Sequence, residues 1–379
     1  ELGGFEDRAR TMMRLAPEAL APLDPGPKEG FRRSIRREPL GLVLVLAPWN
    51  YPWLTAVNAI VPALLAGNTV LLKHSDQTPL VAERMSEAAK EAGLPPGVFA
   101  HVHASHVMVA HMVADPRVAF VAFTGSVAGG HAVQRAASER FVGINLELGG
   151  KDAAYVREDA DLAQAIATTA EGAFYNAGQS CCGIERIYVH RDRYEAFVEG
   201  FVAEARRLVL GDPRDAATTL GPLVRVRNAE AVLRHVDAAI AAGARAHLGA
   251  DEFPEAAARG LPYLAPQVLT EVDEGMELMR EETFGPVVGI APVADDAEAV
   301  RRIDASRYGL TAALFTRDLE RAEALAAELE VGTVFANRCD YLDPELAWVG
   351  VKDSGRGVSL SRVAFEALTR PKSLHFRVL

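Results

Sequence analysis

What most limits the folds open to this chain is an alternation of β-type and helix-type runs between residues 40 and 146. Residues 40–46 form a nearly continuous apolar β-type run, the signature of a strand buried on both faces. Residues 69–72 read as the next strand and 80–92 as a helix closed by Gly93. Then follow a strand over 98–102, a helix over 105–113, a strand over 118–123, a helix over 129–137 and a strand over 142–146. Neighbouring parallel strands need crossovers, and helices of this length supply them. The rhythm therefore predicts a doubly wound parallel α/β sheet. A second α/β series follows Gly149, with helices over 161–176, 194–208 and 228–242 and strands near 185–190 and 333–336.

The flanks read differently. Phe5, Ala9, Met12, Met13, Ala16 and Leu20 recur at a helical period. Residues 22–30 hold three prolines and two glycines and form a turn-rich connector. Residues 31–38 are basic and read as an edge strand. Residues 372–378 alternate like an exposed strand, which needs a partner; the expectation is that an oligomer interface supplies it. With 379 residues the chain has enough length for two domains. A net charge of −11 argues against a nucleic-acid partner and against binding to an anionic membrane surface. No apolar run is long enough to cross a bilayer, since residues 60–66 are interrupted by Pro62 and followed by Gly67 and Asn68. Residues 1–14 carry mixed charge and do not read as a signal peptide. Cys181, Cys182 and Cys339 do not read as a disulfide framework, which fits a reducing, cytoplasmic setting.

The chemistry concentrates in three stretches. Phe174-Tyr-Asn-Ala-Gly-Gln-Ser-Cys181-Cys182 offers a thiol. Glu147, in Leu146-Glu-Leu-Gly-Gly-Lys151, lies 34 positions before Cys181. Asn50 lies in Ala47-Pro-Trp-Asn-Tyr-Pro-Trp53. A thiol, a carboxylate and an amide donor are the parts needed to attack a carbonyl, hold its oxyanion and hydrolyse an acyl-enzyme. A lone cysteine is more often a small packing residue, and an isolated glutamate before two glycines is more often a loop residue. Their combination is what argues for chemistry.

Together with Phe123-Thr-Gly-Ser126 and Glu281-Glu-Thr-Phe-Gly-Pro286, these stretches resemble the NAD(P)-dependent aldehyde dehydrogenase superfamily, in its non-acylating type. The resemblance implies a Rossmann-like cofactor domain over 1–20 and 40–148 and an α/β catalytic domain over 149–353. It also implies a small β oligomerisation element built from 21–39 and 369–379, and a C-terminal helix over 354–368. Cys181, the second residue after Gln179, is the implied nucleophile, and Cys182 a packing neighbour. Asn50 and the Cys181 backbone N–H are the implied oxyanion donors. Glu147 is the implied general base, which favours hydrolysis to a free acid over transfer to a thiol.

The same resemblance implies the cofactor residues. Gly125, Ser126 and Gly130 form a Gly-rich strand-to-helix turn for a pyrophosphate. Lys73 and Asp76 hold the adenosine ribose; a carboxylate at 76 favours NAD, with NADP as the alternative. Trp49 flanks the cofactor, and Glu282 and Phe284 serve the nicotinamide ribose. Gly350-Val-Lys-Asp-Ser-Gly-Arg-Gly357 matches a structural family motif. His74 stands where the family commonly has Pro and has no ligand role. No cluster has metal spacing, so no metal is expected.

Tyr51, Thr55, Asn58 and Tyr175 are the candidates to line the substrate tunnel. The loop 337–345 carries Asp340, Asp343, Glu345 and Arg338, a field that disfavours an anionic semialdehyde. The expected substrate is a small aldehyde and the expected assembly a homodimer or homotetramer. The family's length implies further residues ahead of Glu1 and a shortened or processed form. Two alternatives stand: a scaffold subunit with impaired catalysis, and a dehydrogenase of the succinate-semialdehyde type.

Overall fold

In the computed structural model, which describes all 379 residues, the chain forms two units. The first comprises Glu1–Leu148, Leu342–Val349 and Gly355–Leu379; the second comprises Gly149–Tyr341 and Gly350–Ser354.

In the first unit the run Leu42–Ala47 is an inner strand, and Val43, Leu44, Val45 and Leu46 are all buried. Burial on both faces is why the run shows no polar alternation. It pairs in parallel with Val118–Thr124 on one side and Thr69–His74 on the other. Gly143–Glu147 lies parallel beyond Val118–Thr124, and Phe99–His101 lies parallel beyond Thr69–His74. Gly355–Arg356 closes the sheet as an antiparallel edge on Gly143–Glu147. Five parallel strands therefore finish along one edge, which collects the loops after Ala47, His74, Thr124 and Glu147. In open α/β sheets that carboxyl-end edge is where ligands bind.

Helix starts follow local chemistry. Pro52–Leu65 opens on a proline, whose missing N–H is harmless in a first turn. Ser105 and Ser126 cap His106–Ala114 and Val127–Ala136 by accepting from Met108 N and Gly129 N.

The second unit holds a seven-stranded sheet in the order Thr333–Ala336, Thr311–Phe315, Asp152–Val156, Ile184–His190, Val287–Val293, Gln267–Thr270 and Arg245–Ala246. All pairs are parallel except the last. Five of these strands were not evident in the sequence. Asp152–Val156 and Thr311–Phe315 are alanine-bearing and buried throughout, so they lack both alternation and β-branched enrichment.

Two expectations change at the C-terminus. The helix expected over 354–368 shrinks to the single turn Ala364–Ala367, because Gly357, Leu360 and Ser361 take positive φ and break any continuous helix. The strand at the C-terminus, Thr369–Arg377, finds its partner inside the same chain. It pairs antiparallel with Phe31–Pro39, from Phe31 opposite Arg377 to Pro39 opposite Thr369. No helix is long and apolar enough to cross a membrane.

Asn68, almost fully buried, joins the two ends of the first unit. Its Oδ1 accepts from Leu40 N (2.7 Å) and Gly41 N (3.0 Å), and its Nδ2 donates to Leu368 O (2.9 Å). Asn68→Ala leaves buried backbone groups unpaired and is expected to lower unfolding free energy by about 2–3 kcal/mol in urea titration. A loss within about 0.5 kcal/mol would mean that these backbone groups find other partners.

Candidate active site

The first unit supplies the carboxylate, the amide and the groups suited to a dinucleotide. Glu147 ends the strand Gly143–Glu147, partly buried. Its Oε2 accepts from Thr124 Oγ1 (3.3 Å) on the neighbouring strand, and its Oε1 accepts from Ser359 Oγ. Ser359 Oγ in turn accepts from Asn145 Nδ2 (3.0 Å). Burial raises the Glu147 pKa above the ordinary carboxylate range, and the two hydroxyls and the charge of Arg8 oppose that rise. Such a carboxyl is neither an exposed acid nor one arm of a close ion pair. It is a carboxyl held in place by two hydroxyls.

Trp49 and Asn50 lie in the bend between Leu42–Ala47 and Pro52–Leu65, both partly buried. His74 secures that bend. Its ring accepts at Nδ1 from Ser75 N (2.9 Å) and from Thr78 Oγ1 (3.0 Å), which leaves Nε2 to donate to Pro52 O (3.0 Å). Burial lowers the His74 pKa, consistent with a neutral ring in that tautomer. A histidine without an expected role thus ties the Asn50 bend to the segment carrying Lys73 and Asp76.

Lys73 is partly buried near the end of Thr69–His74, and burial lowers its pKa against the attraction of Asp76. Asp76 is exposed. Gly125 and Ser126 form the turn from Val118–Thr124 into Val127–Ala136, with Ser126 exposed at the helix start. Gly130 is buried against Leu148, where a Cβ would stand 2.9 Å from the leucine methyl groups. A helix N-terminus, a cation and a carboxylate thus share one sheet edge, a donor set suited to a pyrophosphate with a ribose.

The second unit supplies the thiol. Helix Leu162–Phe174 runs into the turn Tyr175–Gly178, where Asn176, Ala177 and Gly178 all take positive φ. A Cβ at Gly178 would fall 2.1 Å from Gly285 O, so only glycine fits. Gln179 is buried; its Oε1 accepts from Val224 N (2.8 Å) and its Nε2 donates to Asn176 O (3.0 Å). Cys181 follows, partly exposed. Below it, Asp340 accepts from Ser180 Oγ (3.2 Å) and Cys182 Sγ (2.9 Å). The Cys182 thiol is buried, and a hydrogen bond with Cys181, burial and Asp340 together hold its pKa well above the usual range. Burial pushes the Cys339 thiol up to about 12.

Glu282 accepts from Gly150 N (3.1 Å), and burial, reinforced by Glu185, pushes its carboxyl up to about 8. Phe284 has positive φ, and its N–H donates to Glu185 Oε1 (2.9 Å). Gly150 is wedged beside the Cys181 backbone: a Cβ there would lie 2.6 Å from Cys181 O.

The tunnel candidates fare unevenly. Tyr175 stands exposed and Tyr51 is partly buried. Thr55 Oγ1 is bonded to Tyr51 O (2.8 Å). Asn58 is buried and accepts from Arg8 Nη1 (3.1 Å), so it braces the first helix, Leu2–Ala19, rather than lining open space. The charges of the loop 337–345 are engaged differently from one another. Asp340 sits beneath the cysteines, Asp343 caps Glu345 N (2.9 Å), and Glu345 pairs with Arg14. Arg338 lies over the Tyr341 ring at 3.4 Å. The groups missed in the sequence are those that hold others: Ser359, Asp340 and Glu185. Lys151 and Thr124 stood inside recognised motifs; Ser359 had no local signal, and Asp340 was legible only as one charge of the 337–345 loop.

The aldehyde dehydrogenase family model matches residues 4–374, and the chain belongs to that family. It is therefore an NAD(P)-dependent oxidoreductase that acts on aldehydes. It is 40% identical over 339 residues to betaine aldehyde dehydrogenase 2 of Rhizobium meliloti, covering 89% of this chain and 70% of that one. It is 36% identical over 371 residues to the succinate-semialdehyde dehydrogenase [NADP(+)] of Mycolicibacterium paratuberculosis, covering 98% and 77%. The crystal structure of the NAD-dependent aldehyde dehydrogenase from Sinorhizobium meliloti superposes with a TM-score of 0.93 at 33% identity, covering 99% of this chain and 75% of that one.

The exposure of the three thiols predicts selective alkylation. Iodoacetamide on the folded protein is expected to modify Cys181 and to spare Cys182 and Cys339, read by fragment-ion mass spectrometry. Modification of either buried thiol at a comparable rate would contradict the described packing.

Proposed function

We propose that this protein oxidises an aldehyde to the free carboxylic acid through a covalent enzyme thioester, with Cys181 as nucleophile and Glu147 as general base. The Cys181 thiolate forms a bond to the aldehyde carbon. The Asn50 amide and the Cys181 N–H hold the oxyanion of the resulting thiohemiacetal. Lys73, Asp76, Ser126 and the glycines at 125 and 130 would hold the dinucleotide on the first unit, with Trp49 flanking it and Glu282 and Phe284 serving the nicotinamide ribose. When bound, the dinucleotide supplies the two-electron acceptor that takes the thiohemiacetal to a thioester. Glu147 then removes a proton from water, the water oxygen bonds to the thioester carbon, the C–S bond breaks, and Cys181 leaves as thiolate. Glu147 passes its proton to solvent.

The observation that carries this reading is the setting of Glu147. Two hydroxyls fix it, and burial holds its affinity for protons above that of an ordinary carboxylate, which suits a group that must take and release a proton. We read the first unit as cofactor-binding and the second as catalytic, and the paired strands Phe31–Pro39 and Thr369–Arg377 as the element of a homodimer or homotetramer. Asp76 supports NAD over NADP. Three free cysteines fit the cytoplasm. Among the carboxylates of the loop 337–345 only Glu345 is paired with a cation, so the field there still disfavours an anionic semialdehyde, and saturation kinetics across an aldehyde panel tests this.

Cys181→Ala is expected to abolish turnover. Glu147→Gln is expected to slow steady-state turnover by about 10²–10⁴-fold and to let a thioester adduct accumulate on Cys181, visible by intact mass. A folded, dinucleotide-binding parent without turnover would support the scaffold alternative. Because the Glu147 pKa is raised, its basic form is lost at a higher pH than for an ordinary carboxylate. Deacylation is expected to fall as pH drops through that raised value, and Glu147→Gln should erase this limb. An unchanged limb in the variant would assign the base role elsewhere.

A further inference from the structure

We propose that Glu83, His101 and His103 form a binding site for a divalent transition-metal ion of the zinc, nickel or cobalt class. His101 ends the strand Phe99–His101 at the edge of the six-stranded sheet, and His103 follows two residues later. Glu83 belongs to the helix Pro79–Glu91. One ligand atom from each residue lies within 4.8 Å of the other two. Four-coordinate zinc with bonds of about 2.0–2.2 Å holds its ligand atoms only about 3.3–3.5 Å apart, so a small inward rotation of the side chains completes the site.

Two further details favour a site over a chance meeting. Ser86, one helical turn after Glu83, places its Oγ 2.7 Å from His101 Nδ1 and orients that ring. His103 Nε2 already stands 3.0 Å from Glu83 Oε1, and the two imidazole centroids are 5.3 Å apart. Two imidazoles with one carboxylate are a borderline-soft donor set, which selects zinc, nickel or cobalt over calcium or magnesium. Three protein ligands leave a fourth position for water. The spacing in sequence hides this set, because helix and strand contribute separately and meet only once the crossover has folded.

A second cluster, Glu158, His190 and Asp192, makes a useful contrast. Its nitrogen–oxygen separations are 3.9 and 3.8 Å and both its carboxylates are exposed. An ion held by Glu83, His101 and His103 would fasten the outermost strand to the helix that follows the Lys73–Asp76 segment. It would therefore stiffen that side of the first unit without entering the chemistry proposed for Cys181.

The test uses the full chain carrying Cys181→Ala, which removes the accessible thiol. Cobalt(II) titration followed by visible absorption, with zinc content measured after gel filtration, reads the site. Expected are one ion per chain, four-coordinate cobalt bands without a thiolate charge-transfer band, and a raised melting midpoint with zinc. His101→Ala or His103→Ala, each added to that background, should abolish all three. Ser86→Ala should weaken binding by about tenfold, and His190→Ala should leave it unchanged. His103→Gln, at a more exposed position, serves if His101→Ala fails to fold. No binding to the parent, binding that survives both histidine substitutions, a thiolate band, or loss of binding in His190→Ala would each overturn the proposal.

Discussion

The second unit depends on one buried ion pair. Lys151 and Glu185 have side chains only 1% and 5% exposed, and each would be untenable alone. Glu185 also accepts from Thr283 N and Phe284 N, and Lys151 donates to Thr283 Oγ1. One carboxylate on the strand Ile184–His190 thus fixes the Glu282–Gly285 segment. The Gly285 carbonyl then sets the room left for Gly178, and Gly178 sets the turn that presents Cys181. The ion pair contributes to order more than to net stability: it converts a flexible loop into a template for another loop. Burial lowers the Lys151 pKa, and Glu185 opposes that shift.

The first unit uses weaker groups for the same purpose. Glu147 is held by hydroxyls, and the Asn50 bend is held by a neutral imidazole. Neither support brings a formal charge against the group it holds. A lysine beside Glu147 would drive its pKa down and remove its basicity, whereas Ser359 and Thr124 orient it at lower electrostatic cost. This division, charge for scaffolding in one unit and neutral donors around the carboxylate in the other, follows from what each residue has to do.

Much of this was legible in the sequence, and the exceptions have physical reasons. The strands of the first unit are rich in Val, Leu and Phe and are separated by helical periods, so they stood out and lie within a few residues of their expected bounds. Asp152–Val156 and Thr311–Phe315 did not stand out, because alanine buried on both faces gives no period to detect. Cys181, Glu147 and Asn50 were visible through motif and spacing. Ser359 and Asp340 were not, since they reach their partners across 212 and 158 residues. The charges of the 337–345 loop were legible, but their pairing was not. Composition counts carboxylates without saying which are already satisfied.

The first unit is also discontinuous, which bears on its synthesis. Residues 1–148 leave the ribosome long before 342–349 and 355–379. The edge strand Gly355–Arg356, the Ser359 hydroxyl and the Leu368 carbonyl that Asn68 holds all arrive last. The second unit, nearly continuous from Gly149 to Tyr341, has its seven strands available sooner. The emerging chain therefore carries Glu147 at an unfinished sheet edge until its final few dozen residues appear. Glu147 gains its second hydroxyl only with Ser359, after Asp340 has emerged to support the cysteine loop.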